Sequence, residues 1–266
     1  MIDKSSGLSN NKPGYQHLHW AVVIPAFNEE LTIKVLIEEI IALNPKQLIV
    51  VNDCSSDKTA NILQQLPVTC INNENNLGKA ASLWIGFEKA IAMGADMVIT
   101  LDGDGQHDPR DIPRLLQKYE DNPQQIIIGA RKRNPETQPF ARYFANKFAN
   151  FWVSWAAGYR ISDSQSGFRV YPSLLLKELV HFKQNSLQQG QGFVFESEVL
   201  IEAAWQNIYS SPVEIEAIYP EQRRASHFKP LEDIMNITRM VAARLFKRKM
   251  YLAGLFSIIF NTKKMH

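Results

Sequence analysis

Short, mostly apolar runs alternate with longer stretches of helical spacing through the first half of the chain. Ala21–Ile24, Gln47–Val51, Val68–Ile71, Met97–Leu101 and Ile126–Ile128 are such runs, each bounded by polar residues, as strands buried on both faces are. Between them, Glu29–Leu43 sets Leu31, Val35, Leu36, Ile40 and Leu43 at helical spacing, and Ser55–Leu66 and Gly78–Met93 predict two further helices. Asp108-Pro109 opens a fourth, with Asp at the N-cap and Pro at the first helical position. Strand–helix alternation of this kind predicts an α/β fold, a mostly parallel sheet with helices on both faces. The pattern divides the chain into a polar tail (1–17), one large domain (18–230) and a C-terminal helical segment (231–266).

Ligands of open parallel sheets bind outside the carboxyl ends of the strands, and the polar clusters of this chain fall there. PAFNEE (Pro25–Glu30) follows the first run, NDCSSD (Asn52–Asp57) the second, NNENNLGKA (Asn72–Ala80) the third, TLDGDGQHDP (Thr100–Pro109) contains the end of the fourth, and GARKR (Gly129–Arg133) follows the fifth. Acids, amides and cations on one rim suit a nucleotide, phosphates and a divalent metal. Ordinary helix capping accounts for Asn28, Ser55 and Asp108, but not for Asp102 and Asp104 together. Crowded carboxylates are costly. Two of them with the amide of Gln106 form a hard-oxygen site for Mg²⁺ or Mn²⁺, where a metal would stabilise a departing diphosphate. Gly78-Lys79 does not complete a P-loop, because Asn73 stands where a Gly is required and Ala80 follows the Lys. No G-x-G-x-x-G follows the first run, which argues against a dinucleotide oxidoreductase. His107 has no base or nucleophile spaced beside it and reads as packing.

Composition narrows the class. The chain has 266 residues, 45% apolar and 21% charged, with a net charge of +2, too small to argue for nucleic acid. Cys54 and Cys70 lack metal spacing and fit a reducing compartment; Cys54 reads as a small buried filler. Residues 1–17 contain no apolar core of a signal peptide. No run reaches the ~20 apolar residues of a membrane span.

VVIPAFNEE, VNDCSSDKT, NNLGKAASL, ITLDGDGQHDP and SQSGFRVYP, in this order, resemble family 2 glycosyltransferases of the GT-A fold, and within them the polyprenyl-phosphate (dolichol-phosphate mannose synthase-like) branch. The resemblance covers roughly residues 20–230. It implies an inverting transferase with a metal-assisted nucleotide-sugar donor, UDP- or GDP-linked. Pro25, Phe27 and Glu29 match the first nucleotide-contacting motif, Asp53 the acid that accepts from the base, and Asp102 the residue near ribose and base. Lys79 falls in the donor-binding set. Asp104 and Gln106 match the metal pair, which makes Asp104 a catalytic candidate. Arg131 resembles the arginine that meets an acceptor phosphate, Arg142 with Asn146 a second such contact, and Ser166 lies where acceptor and donor meet.

Later segments leave alternatives open. Glu196 and Glu198 in GFVFESE could supply a general base to a hydroxyl acceptor, or compensate a helix N-terminus; a phosphate acceptor needs no base. EQRRASHFKP (Glu221–Pro230), with Arg223 and Lys229, is a donor-closing loop by resemblance or a solvated charge cluster. Aromatics at 140, 144, 148, 151, 152 and 155 form one helical stripe, for the core or for an acceptor lipid. Seven Lys or Arg and no acid lie between Arg239 and Lys264, flanking Met250–Phe260. This fits a helix in an anionic membrane interface or one docked on the domain. The reading is thus a metal-dependent glycosyltransferase with a lipid-like acceptor, peripheral on the cytoplasmic face of the membrane. A nucleotidyltransferase and a nucleotide-sugar sensor are the alternatives. The first should carry a basic Gly-rich loop where PAFNEE is acidic; the second would not need Asp102, Asp104 and Gln106 together.

Overall fold

The computed structural model describes residues 17–132, 140–179, 194–216, 218 and 230–260, without side chains for 140–142 and 230–233. Seven strands form one sheet: β1 (Trp20–Ala26), β2 (Gln47–Asn52), β3 (Thr69–Asn72), β4 (Met97–Thr100), β5 (Ile126–Arg131), β6 (Arg169–Pro172) and β7 (Ser210–Ile215), in the spatial order β3-β2-β1-β4-β6-β5-β7. Only β6 runs antiparallel, to both β4 and β5. The helices are α1 (Ile33–Ala42), α2 (Thr59–Leu63), α3 (Lys79–Ala92), α4 (Ile112–Asp121), α5 (Phe140–Ala157), α6 (Ser173–Glu178), α7 (Val194–Trp205), α8 (Pro230–Lys247) and α9 (Leu252–Ile259).

Alternation along β1 divides the interior. Ala21 and Val23 point into one apolar layer with Trp84, Phe87 and Phe195, and Val22 and Ile24 into the other with Ile37, Ile99 and Leu115. Helix α3 lies so close to β1 that a Cβ at Gly86 would collide with Val23. The expected helix from Ser55 is cut to Thr59–Leu63. The amides of Ser56 and Lys58 bond the side chains of Asn28 (2.7 Å) and Glu30 (3.0 Å), and so are drawn across to the β1 loop. Asn28 and Ser55 therefore tie two loops together; neither caps α1 or α2. Asp108 does cap a short 3₁₀ turn (Pro109–Asp111), accepting from the Arg110 amide.

Among the described residues no helix is long and apolar enough to cross a membrane. Helix α8 docks on the domain, burying Ile237, Met240, Val241 and Leu245 against α5 and α7. Arg244 seals this contact to Glu198 (2.5 Å) and Glu202 (2.9 Å). Left-handed backbone at Lys249, Met250 and Tyr251 then turns the chain, so that α9 lies on α5. Trp155 Nε1 donates to Tyr251 O (3.2 Å), and Arg160 Nε to Ile258 O (3.0 Å).

Candidate active site

The polar loops converge at the carboxyl ends of β1, β2 and β4. Thr32 Oγ1 donates to Gly103 O (2.6 Å), and a Cβ at Gly103 would lie 3.1 Å from Glu29 Cγ. The Pro25–Glu29 segment and the Asp102–Gln106 loop are therefore neighbours. Asp53, 3% exposed, accepts from Leu77 N, Gly78 N and Asn73 Nδ2, each at 2.8 Å. It thereby shapes the turn into α3, where Gly78 takes φ +86°, a conformation suited to glycine. Cys54 beside it is exposed at φ +61°; the buried-filler expectation is corrected, because the left-handed turn points its side chain outward.

Lys79, the first residue of α3, reaches across the site. Its Nζ lies 2.6 Å from Asp102 Oδ1 and 2.6 Å from Glu196 Oε1. Burial alone would lower the Lys79 pKa; the charges of Asp102 and Glu196 outweigh it and raise it. Burial would likewise raise Asp102, but Lys79 and then His107 hold its pKa below the ordinary value. Asp104 behaves oppositely. Burial, reinforced by the Asp102 charge, pushes its carboxyl above the ordinary value. Its two oxygens accept from Gln106 N (3.0 Å) and Gln106 Nε2 (2.6 Å), so the two side chains proposed for a metal already face each other. Among the described residues no three His, Cys, Asp or Glu side chains are grouped so that they could hold a metal ion by themselves. A cation here would take Asp104 and Gln106 as its protein ligands and fill its shell with phosphate oxygens and water. The donor set is hard oxygen and the local charge is negative, so the residues fit such an ion.

His107 is 3% exposed and lies against Phe168, ring centroids 5.4 Å apart. Burial drives its pKa down to about 4 despite the opposing Asp102. It is a neutral packed ring, as the sequence implies.

The other side of the site is built by the loop before β6. Arg131 grips Asp163 in a bidentate pair, Nε to Oδ2 at 2.8 Å and Nη2 to Oδ1 at 3.0 Å. Thr100 Oγ1 donates to Gly167 O (2.6 Å), and a Cβ at Gly167 would come within 2.5 Å of Asp102 Oδ2. The loop thus meets Asp102 edge to edge. Ser166 is fully buried; its hydroxyl donates to Gly129 O (2.6 Å) and accepts from Phe168 N (3.3 Å). Its described contacts shape this loop. Arg169, also fully buried, donates to Ser164 O (2.8 Å), Ser166 O (2.8 Å) and Glu196 O (2.7 Å), joining the loop to the start of α7.

The structure separates the two glutamates. Glu196 enters the site beside Lys79, whereas Glu198 turns to Arg244 on α8. Arg142 lies in α5 with its side chain outside the described residues, and Asn146 one turn on is buried. Arg223 and Lys229 fall outside the described residues. Just before them, Ile218 N donates to Gln106 O (3.1 Å). Sequence reasoning gave no role to Asp163, which borders the SQSGFR motif it singled out, or to Arg169, the last residue of that motif. It also missed Arg244, whose partners lie in another helix.

The chain resembles known proteins over most of its length. The family model for Glycosyl transferase family 2 matches residues 21–174. A UDP-N-acetylglucosamine–dolichyl-phosphate N-acetylglucosaminyltransferase of Methanococcus voltae is 30% identical over 224 residues, covering 77% of this chain and 87% of that protein. An undecaprenyl-phosphate 4-deoxy-4-formamido-L-arabinose transferase of Pectobacterium carotovorum is 30% identical over 62% of this chain and 52% of its own length. The crystal structure of glucosyl-3-phosphoglycerate synthase from Mycobacterium tuberculosis with Mn²⁺, uridine diphosphate and phosphoglyceric acid superposes with a TM-score of 0.64. It is 21% identical, covers 88% of this chain and 79% of its own, and shares the fold.

Proposed function

The chain belongs to glycosyl transferase family 2, and from that premise we propose that it moves a sugar from a UDP- or GDP-linked donor to a polyprenyl-phosphate-like lipid, with Mg²⁺ or Mn²⁺ at Asp104 and Gln106. One observation carries this reading: the two acids of DGDGQ are answered unequally. Lys79 meets Asp102 at 2.6 Å, while Asp104 sits half-buried with its pKa raised and its oxygens aimed at Gln106. A divalent cation supplies the missing positive charge and, when bound, stabilises the leaving diphosphate.

The chain's own residues do the rest. Pro25, Phe27, Glu29 and Asp53 form the wall for the nucleoside, beside Asp102. Lys79 fixes the Asp102 carboxylate against Gly167 and so sets the boundary between donor and acceptor. Arg131, preoriented by Asp163, receives the acceptor phosphate. One of that phosphate's oxygens forms the new bond to the anomeric carbon, from the face opposite the leaving group. The bond from that carbon to the β-phosphate oxygen breaks, and the nucleoside diphosphate departs. The attacking oxygen is already anionic, so no proton need be removed, and Glu196 serves to hold Lys79. Arg223 and Lys229 follow a segment anchored at Gln106, which favours a donor-diphosphate contact for them. With a lipid acceptor and a water-soluble donor, the protein works peripherally on the cytoplasmic face of a membrane.

The test is transfer from UDP- and GDP-sugars to a short-chain polyprenyl phosphate, with Mg²⁺, Mn²⁺ or a chelator. Metal-dependent transfer that Asp104→Ala abolishes supports the reading; undiminished turnover in that variant refutes the metal assignment.

A further inference from the structure

Helices α5 and α9 each expose an apolar stripe that no described element covers. On α5, Phe144, Phe148 and Phe151 are exposed by 53%, 43% and 45%; on α9, Leu252, Phe256 and Phe260, at its end, by 58%, 59% and 65%. These positions recur every three or four residues and so lie on one side of each helix. The helices are in contact. The α5 stripe runs into that contact, where Phe151 packs on Trp155 (6.4 Å between ring centroids) and Trp155 bonds Tyr251 O. Exposed aromatics in this number on adjoining helices mark a docking surface rather than scattered surface apolars.

The charges around the stripes name the partner. Neither Phe140–Ala157 nor Leu252–Ile259 contains an acid. Exposed Lys147 and Arg160 lie on or beside α5, and exposed Lys247, Arg248 and Lys249 lead into α9. A second copy of this surface would set like charges against each other. An anionic surface with an apolar interior satisfies both features, with basic groups at the headgroups and aromatic rings at the boundary. Most of the apolar side of α8 is spent on the domain core, so that helix adjoins the platform only through its exposed C-terminal end, with Phe246 and Lys247.

We propose that the outer faces of α5 and α9 together form a rigid platform that seats the protein on an anionic lipid bilayer. The platform also faces the right loop. Asn150 on α5 donates to Ser162 O (2.6 Å) and accepts from Ser164 N (2.9 Å), so the helix lying on the lipid also holds the loop that carries Asp163. Lipid contact and acceptor entry are thus coupled through one helix. This refines the lipid-acceptor reading above and rests on it for its purpose, though not for its test.

The experiment is co-sedimentation of the full chain with vesicles of phosphatidylcholine containing about one third phosphatidylglycerol, and with pure phosphatidylcholine. Binding to the anionic vesicles is expected to fall at least tenfold in Phe148→Ser/Phe256→Ser, and also in Lys247→Gln/Lys249→Gln. Unchanged circular dichroism and melting temperature confirm that these exposed positions leave the fold intact. Equal sedimentation of parent and variants, or no sedimentation of the parent, overturns the proposal. So does a dimer of the parent in solution that the phenylalanine variants dissociate, since the surface then serves a second copy. Transfer to a detergent-dispersed short-chain acceptor separates the two ideas. Variants that lose vesicle binding should keep it, whereas a parent that binds vesicles but transfers nothing contradicts the proposed function alone.

Discussion

Replacing Lys79 by Met tests the charge arrangement at the centre of the site. Met keeps most of the length and the apolar stem but removes the ammonium that lies 2.6 Å from both Asp102 and Glu196. Glu196 is 1% exposed and Asp102 23%. The variant therefore leaves one fully buried and one mostly buried carboxylate without their cation. Breaking a buried pair costs about 3–5 kcal/mol, and the partial exposure of Asp102 places this case near 3 kcal/mol. For a domain of this size that corresponds to a fall in melting temperature of roughly 6–12 °C. The pH dependence has a definite sign. In the parent, the depressed Asp102 contributes stability that is present above its unfolded pKa and is lost as pH falls through its folded value. In the variant, burial acts on Asp102 without Lys79 and raises its pKa. Protonation then relieves the strain, and the gap between parent and variant narrows as pH falls from 8 to 5. Urea unfolding at both pH values measures this, with Lys79→Met/Asp102→Asn expected to regain part of the loss at pH 8. A penalty below about 0.5 kcal/mol, the size of an exposed pair, or one that does not change with pH, would refute the argument.

Asp104→Asn should lower transfer at least ~10³-fold, about 4 kcal/mol of transition-state stabilisation, while the metal-free protein melts at the same or a higher temperature, because a carboxylate with a raised pKa is removed. Differential scanning fluorimetry with and without Mn²⁺ and UDP checks both halves; at about 100 times the Kd, ligand should stabilise the parent by about 2.7 kcal/mol and Asp104→Asn by far less. Gly167→Ala would drive a methyl into the Asp102 carboxylate, so transfer should fall about tenfold or more while far-UV circular dichroism is retained. Arg244→Met strands Glu198 and Glu202 under α8 and should cost about 2–3 kcal/mol in urea unfolding, with the KM for donor unchanged. His107→Phe removes a ring that is neutral at physiological pH, so the pH–rate profile should keep its shape.

The strands most legible in the sequence were those buried on both faces. AVVI, LIVV and MVI are wholly apolar, so these runs stand out. Strand β6 left no such mark: it is four residues long, carries the buried Arg169, and is recognisable only through its neighbours β4 and β5. The early helix ends were misplaced for another reason. Side chains of Asn28 and Glu30 capture the amides that a longer α2 would have used, and that competition is invisible in a periodicity. The site divides the same way. DGDGQ could be read because its chemistry is contiguous. Arg131 with Asp163, 32 residues apart, and Arg244 with Glu198, 46 apart, could not, because only the folded chain brings those charges together.

Those long-range pairs explain why the site is organised as it is. A donor-side acid and an acceptor-side loop must keep a fixed spacing if attack is to be in line. Lys79 ties Asp102 to Glu196, and Arg169 ties the Glu196 carbonyl to the carbonyls of Ser164 and Ser166. Asp102 is thus linked to the Ser164–Ser166 loop through the start of α7, by the half-buried Lys79 and the fully buried Arg169. Each cation would be costly alone, and each is compensated by the groups it joins. On the proposed function, Lys79 and Arg169 thus help to set the spacing between donor and acceptor, beside the direct pairing of Thr100 with Arg169 and its hydrogen bond to Gly167. Substitutions at Lys79 and Arg169 should accordingly lower kcat more than they raise the KM for either substrate, whereas substitutions at Asp53 should act mainly on donor KM.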